Sequence, residues 1–195
     1  MIFIYLNLIL WDNEHIKMEF EHDLVKGLYL IPDYLDKTEC DKIEKFIVDN
    51  NKWKPVTNYK NSREVIQYGY TYSYDRSGVT KTDDIPSQLL DPTKTINQKL
   101  GINVCFDQLI INKYEKGQGI SPHIDHTKYF GDVIMCITLM NPVIAIFMRN
   151  GQEVEVDLEP GSAYVMSGDA RYKWTHQMRQ TKGTRISLTY RTVIK

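Results

Sequence analysis

Two periodicities divide the chain. Cys40, Ile43, Phe46 and Ile47 recur three and four residues apart, which predicts an amphipathic helix over residues 37–50. Thr38-Glu39-Cys40-Asp41 reads as its capping box, with Asp in place of the usual Glu. A second, shorter helix is predicted within residues 86–100, stopped by Gly101. Ahead of both, residues 27–31 look strand-like and end at Pro32. From residue 104 onward the pattern turns to strand. Residues 106–114 are β-branched and aromatic, residues 133–139 form a buried apolar run, and residues 143–148 lead into Asn150-Gly151, a strong hairpin signal. Residues 153–159 alternate apolar and acidic, residues 163–166 follow a Pro160-Gly161 turn, and residues 185–193 close the chain as a further strand. Helices followed by about seven or eight short strands predict an α+β fold with a double-sheet or jelly-roll core.

No repeat or Pro/Gly/Ser linker interrupts the pattern, so residues 27–195 are expected to form one domain and residues 1–26 an N-terminal extension. The apolar run over residues 1–11 is too short to span a bilayer and has no basic flank. It is expected to be a strand or a leader, with Met18 an alternative start and no membrane partner. A chain of 195 residues buries roughly 70% of its unfolded surface without any staple. Three cysteines, far apart and odd in number, argue against a secreted disulfide framework or a zinc ribbon. They predict reduced thiols and an intracellular setting, with a monomer as the default. With 24 Lys and Arg against 25 Asp and Glu, the protein is no bulk polycation. The near-zero sum hides an asymmetry. Lys52, Lys54, Lys60 and Arg63 stand together without an acid, and residues 171–195 carry seven more bases and no acid.

The chemistry-bearing residues begin with histidine. In Ser121-Pro122-His123-Ile124-Asp125, His123 and Asp125 are two apart, so an extended backbone projects both to one face. His176 follows 51 residues after Asp125 and can return to the same mouth of a barrel. Two imidazoles and a carboxylate on one face of an octahedron leave open positions that suit Fe(II) binding a co-substrate and O2, although a zinc hydrolase uses the same ligand types. Arg185 and Arg191 lie six apart on one strand and share a face, while Ile186, Leu188 and Tyr190 occupy the other. Two inward arginines require anions, and a dicarboxylate meets that need through charge-assisted bonds.

Together Asn112 and Tyr114, His123 and Asp125, His176, and Arg185 and Arg191 give the ordered pattern NxY…HxD…H…RxxxxxR. It resembles the AlkB family of Fe(II)/2-oxoglutarate-dependent dioxygenases over residues 27–193. The segments 117–125 and 171–176 are similar to the eukaryotic tRNA-modifying branch, and Gln177 departs from the Gly that many members carry there. The resemblance implies a double-stranded β-helix with N-terminal supporting helices and a nucleotide-recognition lid. It implies Fe(II) held by His123, Asp125 and His176. It also implies 2-oxoglutarate lined by Asn112, Tyr114, Arg185 and Arg191, with Arg185 at the distal carboxylate and Arg191 near the chelating end. O2 is the oxidant, and the reaction is hydroxylation or oxidative demethylation of a nucleic-acid base. Lys52, Lys54, Lys60, Arg63 and Arg171 are the expected phosphate contacts. Tyr72 and Tyr74, part of a run of four tyrosines expected on one strand face, are either a base-stacking lid or core. Trp174 and Cys136 are expected in the core and His126 in an exposed loop. A protein side chain as substrate, or a non-catalytic nucleic-acid-binding module, are the alternatives.

Overall fold

The computed structural model describes residues 19–195 except 51, 58–61 and 76, so the apolar run over 1–11, Met18 and Lys60 lie outside the described residues. Strand β1 (Leu28–Ile31) precedes helix α1 (Lys37–Asp49), then β2 (Lys54–Pro55), β3 (Glu64–Tyr68), β4 (Tyr70–Tyr72), β5 (Val79–Lys81) and helix α2 (Ser87–Leu100). Strands β6 (Gln108–Tyr114), β7 (Ile120–His123), β8 (Ile134–Leu139), β9 (Val143–Arg149), β10 (Gln152–Leu158) and β11 (Ala163–Met166) follow. The short α3 (Gly168–Tyr172), β12 (Thr175–Met178) and β13 (Arg185–Arg191) complete the chain. Both predicted helices are present within a residue or two of their expected ends.

The α1 cap sits two residues earlier than the sequence suggests. Asp36 accepts from the Glu39 amide at 2.8 Å and the Glu39 carboxylate accepts from the Asp36 amide at 2.8 Å, a complete capping box that displaces Thr38 and Asp41. Asn150 and Gly151 both take positive φ, 52° and 82°, which makes the primed turn that joins β9 to β10. The four-tyrosine run is not one strand. Gly69, at φ 73°, approaches the Asp107 carbonyl so closely that an added Cβ would lie 1.8 Å from it. The chain therefore turns there, leaving Tyr68 buried on β3 while Tyr70 and Tyr72 pair with β5 in a separate hairpin.

The strands form a seven-stranded sheet, β1-β11-β8-β13-β6-β3-β2, facing a four-stranded sheet, β10-β9-β12-β7, with β4-β5 apart. This is the α+β double-stranded β-helix. One core lies between the helices and the outer face of the large sheet, where Ile43, Ile47, Leu89 and Ile96 meet Ile186, Leu188 and Tyr190. A second lies between the sheets around Phe147, Val156, Leu158, Trp174 and Met178. Strand β13 is central, flanked by β6 and β8, so its helix-facing residues are sealed and its other face is turned toward the small sheet. Among the described residues no helix is long and apolar enough to cross a membrane.

Candidate active site

The inward face of β13 lines a cavity of about 470 Å³ between the two sheets with Arg185, Ser187, Thr189 and Arg191. Antiparallel pairing sets Arg185 opposite Tyr114 and Ser187 opposite Asn112, which brings the four expected 2-oxoglutarate residues onto neighbouring strands of one wall. The facing wall comes from the small sheet. There β12 pairs with β7 so that His176 lies opposite His123, and their ring centroids are 4.3 Å apart. Asp125 follows directly after the end of β7 and lines the same cavity.

The electrostatics prepare these groups for a cation. His123 Nδ1 meets the Ser121 carbonyl at 2.9 Å; a carbonyl only accepts, so Nδ1 carries a proton and Nε2 is the nitrogen available to a metal. Burial lowers the His176 pKa to about 4, against the opposing pull of the Asp125 carboxylate, so the ring is neutral at physiological pH. Burial alone would raise the Asp125 carboxyl, but nearby positive charge, foremost the Arg191 guanidinium that also bonds it, outweighs burial and holds the group well below the usual carboxylate range. Arg191 Nη2 reaches Asp125 Oδ1 at 2.9 Å, leaving Oδ2 as a donor atom. Among the described residues no three His, Cys, Asp or Glu side chains already close into a cage. Two imidazoles and an ionised carboxylate on one cavity wall nevertheless fit a divalent cation that keeps open positions.

The arginines fit a dicarboxylate. Arg185 and Arg191 are 2% and 8% exposed, and the Nε–H of each is buried without a partner. Arg185 Nη2 donates to Thr138 Oγ1 at 2.8 Å, and its guanidinium sits 5.7 Å from the Tyr114 ring centroid. Arg191 Nη1 donates to Gln108 Oε1 at 3.3 Å. A buried unmet donor costs about 1–3 kcal/mol, and a ligand carboxylate satisfies it. Burial also pushes the Tyr114 hydroxyl up, so it remains protonated and able to donate.

A family model described as the 2OG-Fe(II) oxygenase superfamily matches residues 27–191. Over 189 residues the chain is 32% identical to the Xenopus tropicalis tRNA (carboxymethyluridine(34)-5-O)-methyltransferase alkbh8, covering 93% of this chain and 29% of that protein. The chain belongs to the AlkB family of 2OG-Fe(II) oxygenases. An Arabidopsis thaliana alkylated DNA repair protein ALKBH8 homolog is 29% identical over 187 residues, 81% of this chain and 52% of that protein. The chain thus spans less than a third of the frog relative and about half of the plant one. The structure of OsALKBH1 shares the fold, with a TM-score of 0.68 at 14% identity over 85% of this chain and 96% of that one.

In this AlkB-family domain the expected nucleic-acid contacts separate. Arg63 reaches the cavity wall, where its Nε donates to Asn112 Oδ1 at 3.2 Å and its guanidinium lies 5.3 Å from the Tyr74 ring centroid and 5.9 Å from that of Tyr114. Tyr72 and Tyr74 border the cavity, and Tyr72 contacts Tyr74 at 5.3 Å and Phe130 at 5.5 Å between centroids. Lys54 is exposed on β2, whereas Lys52 faces Asp83 at 3.7 Å. Arg171 is not on the surface. It is 2% exposed, and its guanidinium donates to main-chain carbonyls, because α3 turns it under the loop that carries Asp125. Other bases of the C-terminal run are tied to acids: Lys173 to Asp169 at 2.8 Å, Lys195 to Asp107 at 3.8 Å, and Arg179 to Glu155. The sequence reading missed Gln108 and Thr138, which hold the two arginines. Both are polar residues inside apolar strands, and that is the signal by which such partners are found.

Proposed function

We propose that this enzyme hydroxylates or oxidatively demethylates a base of RNA, tRNA or alkylated DNA. One observation carries the reading. A single cavity gathers the His123, Asp125 and His176 donors, two buried arginines with unmet Nε–H groups, and an aromatic border of Tyr72 and Tyr74. Iron(II), together with 2-oxoglutarate and O2, supplies the oxidation of a substrate C–H bond. The protein's own residues do the rest. His123, Asp125 and His176 hold the metal, with the Ser121 carbonyl fixing the His123 tautomer. Arg185, Asn112 and Tyr114 orient the co-substrate, Arg185 at its distal carboxylate, and Arg191 keeps Asp125 ionised beside its chelating end. Tyr72 and Tyr74 offer ring faces and Arg63 a cation to a base taken out of its stack. The names of the relatives, which speak of tRNA carboxymethyluridine and of alkylated DNA, support a nucleic-acid substrate.

The test is mass spectrometry of nucleosides from total tRNA, mRNA and alkylated DNA after incubation with enzyme, Fe(II), ascorbate and 2-oxoglutarate. The proposal expects one nucleoside to gain an oxygen or to lose a methyl group, with matching succinate release. Unchanged nucleosides beside peptides that gain 16 Da, about one oxygen atom, would move the substrate to a protein side chain.

A further inference from the structure

We propose that Arg171 is a positioning residue for the metal, setting the course of the loop that carries Asp125; this rests on the functional reading above. Between β7 and β8 the chain leaves the small sheet at His123 and re-enters the large one at Ile134, with Asp125 near its start and Phe130 and Gly131 near its end. Arg171, on α3, directs all three kinds of guanidinium nitrogen at this loop. Nη1 donates to the Asp125 carbonyl at 2.9 Å, Nη2 to the Phe130 carbonyl at 3.1 Å and Nε to the Gly131 carbonyl at 3.1 Å. A side chain that merely filled space would not need three bonds converging on one loop's main chain. A planar fork of fixed geometry instead fixes the positions of those carbonyls relative to one another.

The consequence falls on the metal ligand. Asp125 is gripped twice, at its carboxylate by Arg191 at 2.9 Å and at its main chain by Arg171. The far end of the loop has a separate anchor in the C-terminal tail, where the Gly131 amide donates to the Thr192 carbonyl at 2.8 Å and the Ile194 amide to the Tyr129 carbonyl at 2.9 Å. The tail holds the loop's exit, and Arg171 ties that exit back to Asp125. The same clamp places Phe130, whose ring meets the Arg191 guanidinium at 4.8 Å and Tyr72 at 5.5 Å, so the metal wall and the aromatic border share one support.

The experiment is a Mn(II) titration followed by electron paramagnetic resonance on the unmodified protein, Arg171→Lys and Ile47→Ala. Arg171→Lys keeps the charge, so the local field acting on a cation is retained while the fork is lost. Ile47→Ala opens a hole in the core beneath α1, away from the cavity, and controls for general destabilisation. The expected result is Mn(II) binding weakened about tenfold or more in Arg171→Lys and unchanged in Ile47→Ala. Free guanidinium should restore binding to a folded Arg171→Ala. Equal affinity in the unmodified protein and Arg171→Lys would overturn the assignment, as would equal weakening in Ile47→Ala. So would failure of Arg171→Lys to fold, which would make the residue part of the folding core. If the unmodified protein binds no Mn(II), the functional reading itself falls and this inference with it.

Discussion

Arg185 and Arg191 face a cavity with buried N–H groups unmet, while Lys173, Arg179 and Lys195, from the same basic stretch of sequence, lie on the surface against Asp169, Glu155 and Asp107. The two sets have the same sign of charge and opposite meanings. A surface base beside an acid is a solvated ion pair worth little, and it leaves no field for a ligand to satisfy. A buried guanidinium with an N–H left unanswered is costly unless something fills the gap, and that is why it marks a site. Arg171 is a third case. It is as buried as Arg185, yet carbonyl dipoles answer its donors, so it builds the protein rather than awaiting a ligand. Environment, more than charge count, separates these roles.

Substitutions sharpen the contrast, beginning with the largest effect. Arg185→Gln removes the cation at the distal end of the cavity and should weaken 2-oxoglutarate binding to the Mn(II)-loaded protein by about 3 kcal/mol, or about a hundredfold, by calorimetry. Affinity within a few-fold of the unmodified protein would break the claim that buried, unmet donors locate the co-substrate. Tyr72→Ala should cost about 1–3 kcal/mol in apparent affinity for a nucleic-acid substrate and leave 2-oxoglutarate binding intact, a split visible in the two KM values.

Tyr190→Phe probes the opposite face of β13. The Tyr190 hydroxyl donates to the Leu89 carbonyl at 2.7 Å in the helix-side core, so its loss should lower stability by about 1–2 kcal/mol in urea unfolding while both ligand affinities stay put. Lys173→Ala should be the mildest change. Its partner Asp169 also bonds Arg149, so stability should shift by less than about 1 kcal/mol and the salt dependence of nucleic-acid binding hardly at all.

Periodic features were legible in the sequence. The even spacing on β13 put Arg185 and Arg191 on one face and Ile186, Leu188 and Tyr190 on the other, because strand alternation is a local rule that tertiary structure rarely overrides. The α1 stripe of Cys40, Ile43 and Ile47 was readable for the same reason. What escaped depends on contacts distant in sequence. Gly69 interrupts the tyrosine run because the Asp107 carbonyl lies against it. Arg171 is buried because the Asp125–Gly131 carbonyls lie where α3 delivers it. The acids that answer the C-terminal bases come from β6's approach, β10 and α3, so a run that looks uniformly basic along the chain is largely neutralised in space. The α1 cap was missed for a smaller reason: Thr38 and Asp36 are both good caps, and it is Asp36 that has a Glu three residues on, Glu39, to complete the reciprocal box.

The most direct test of the site is succinate formation by purified protein supplied with Fe(II), ascorbate, O2 and 2-oxoglutarate, compared with His123→Ala. His123 lies on the edge strand β7, half-buried, so its loss should leave the circular dichroism spectrum unchanged. The account predicts succinate from the unmodified protein and only background from His123→Ala. Undiminished succinate from His123→Ala, or none from an unmodified protein that has bound its metal, would contradict it.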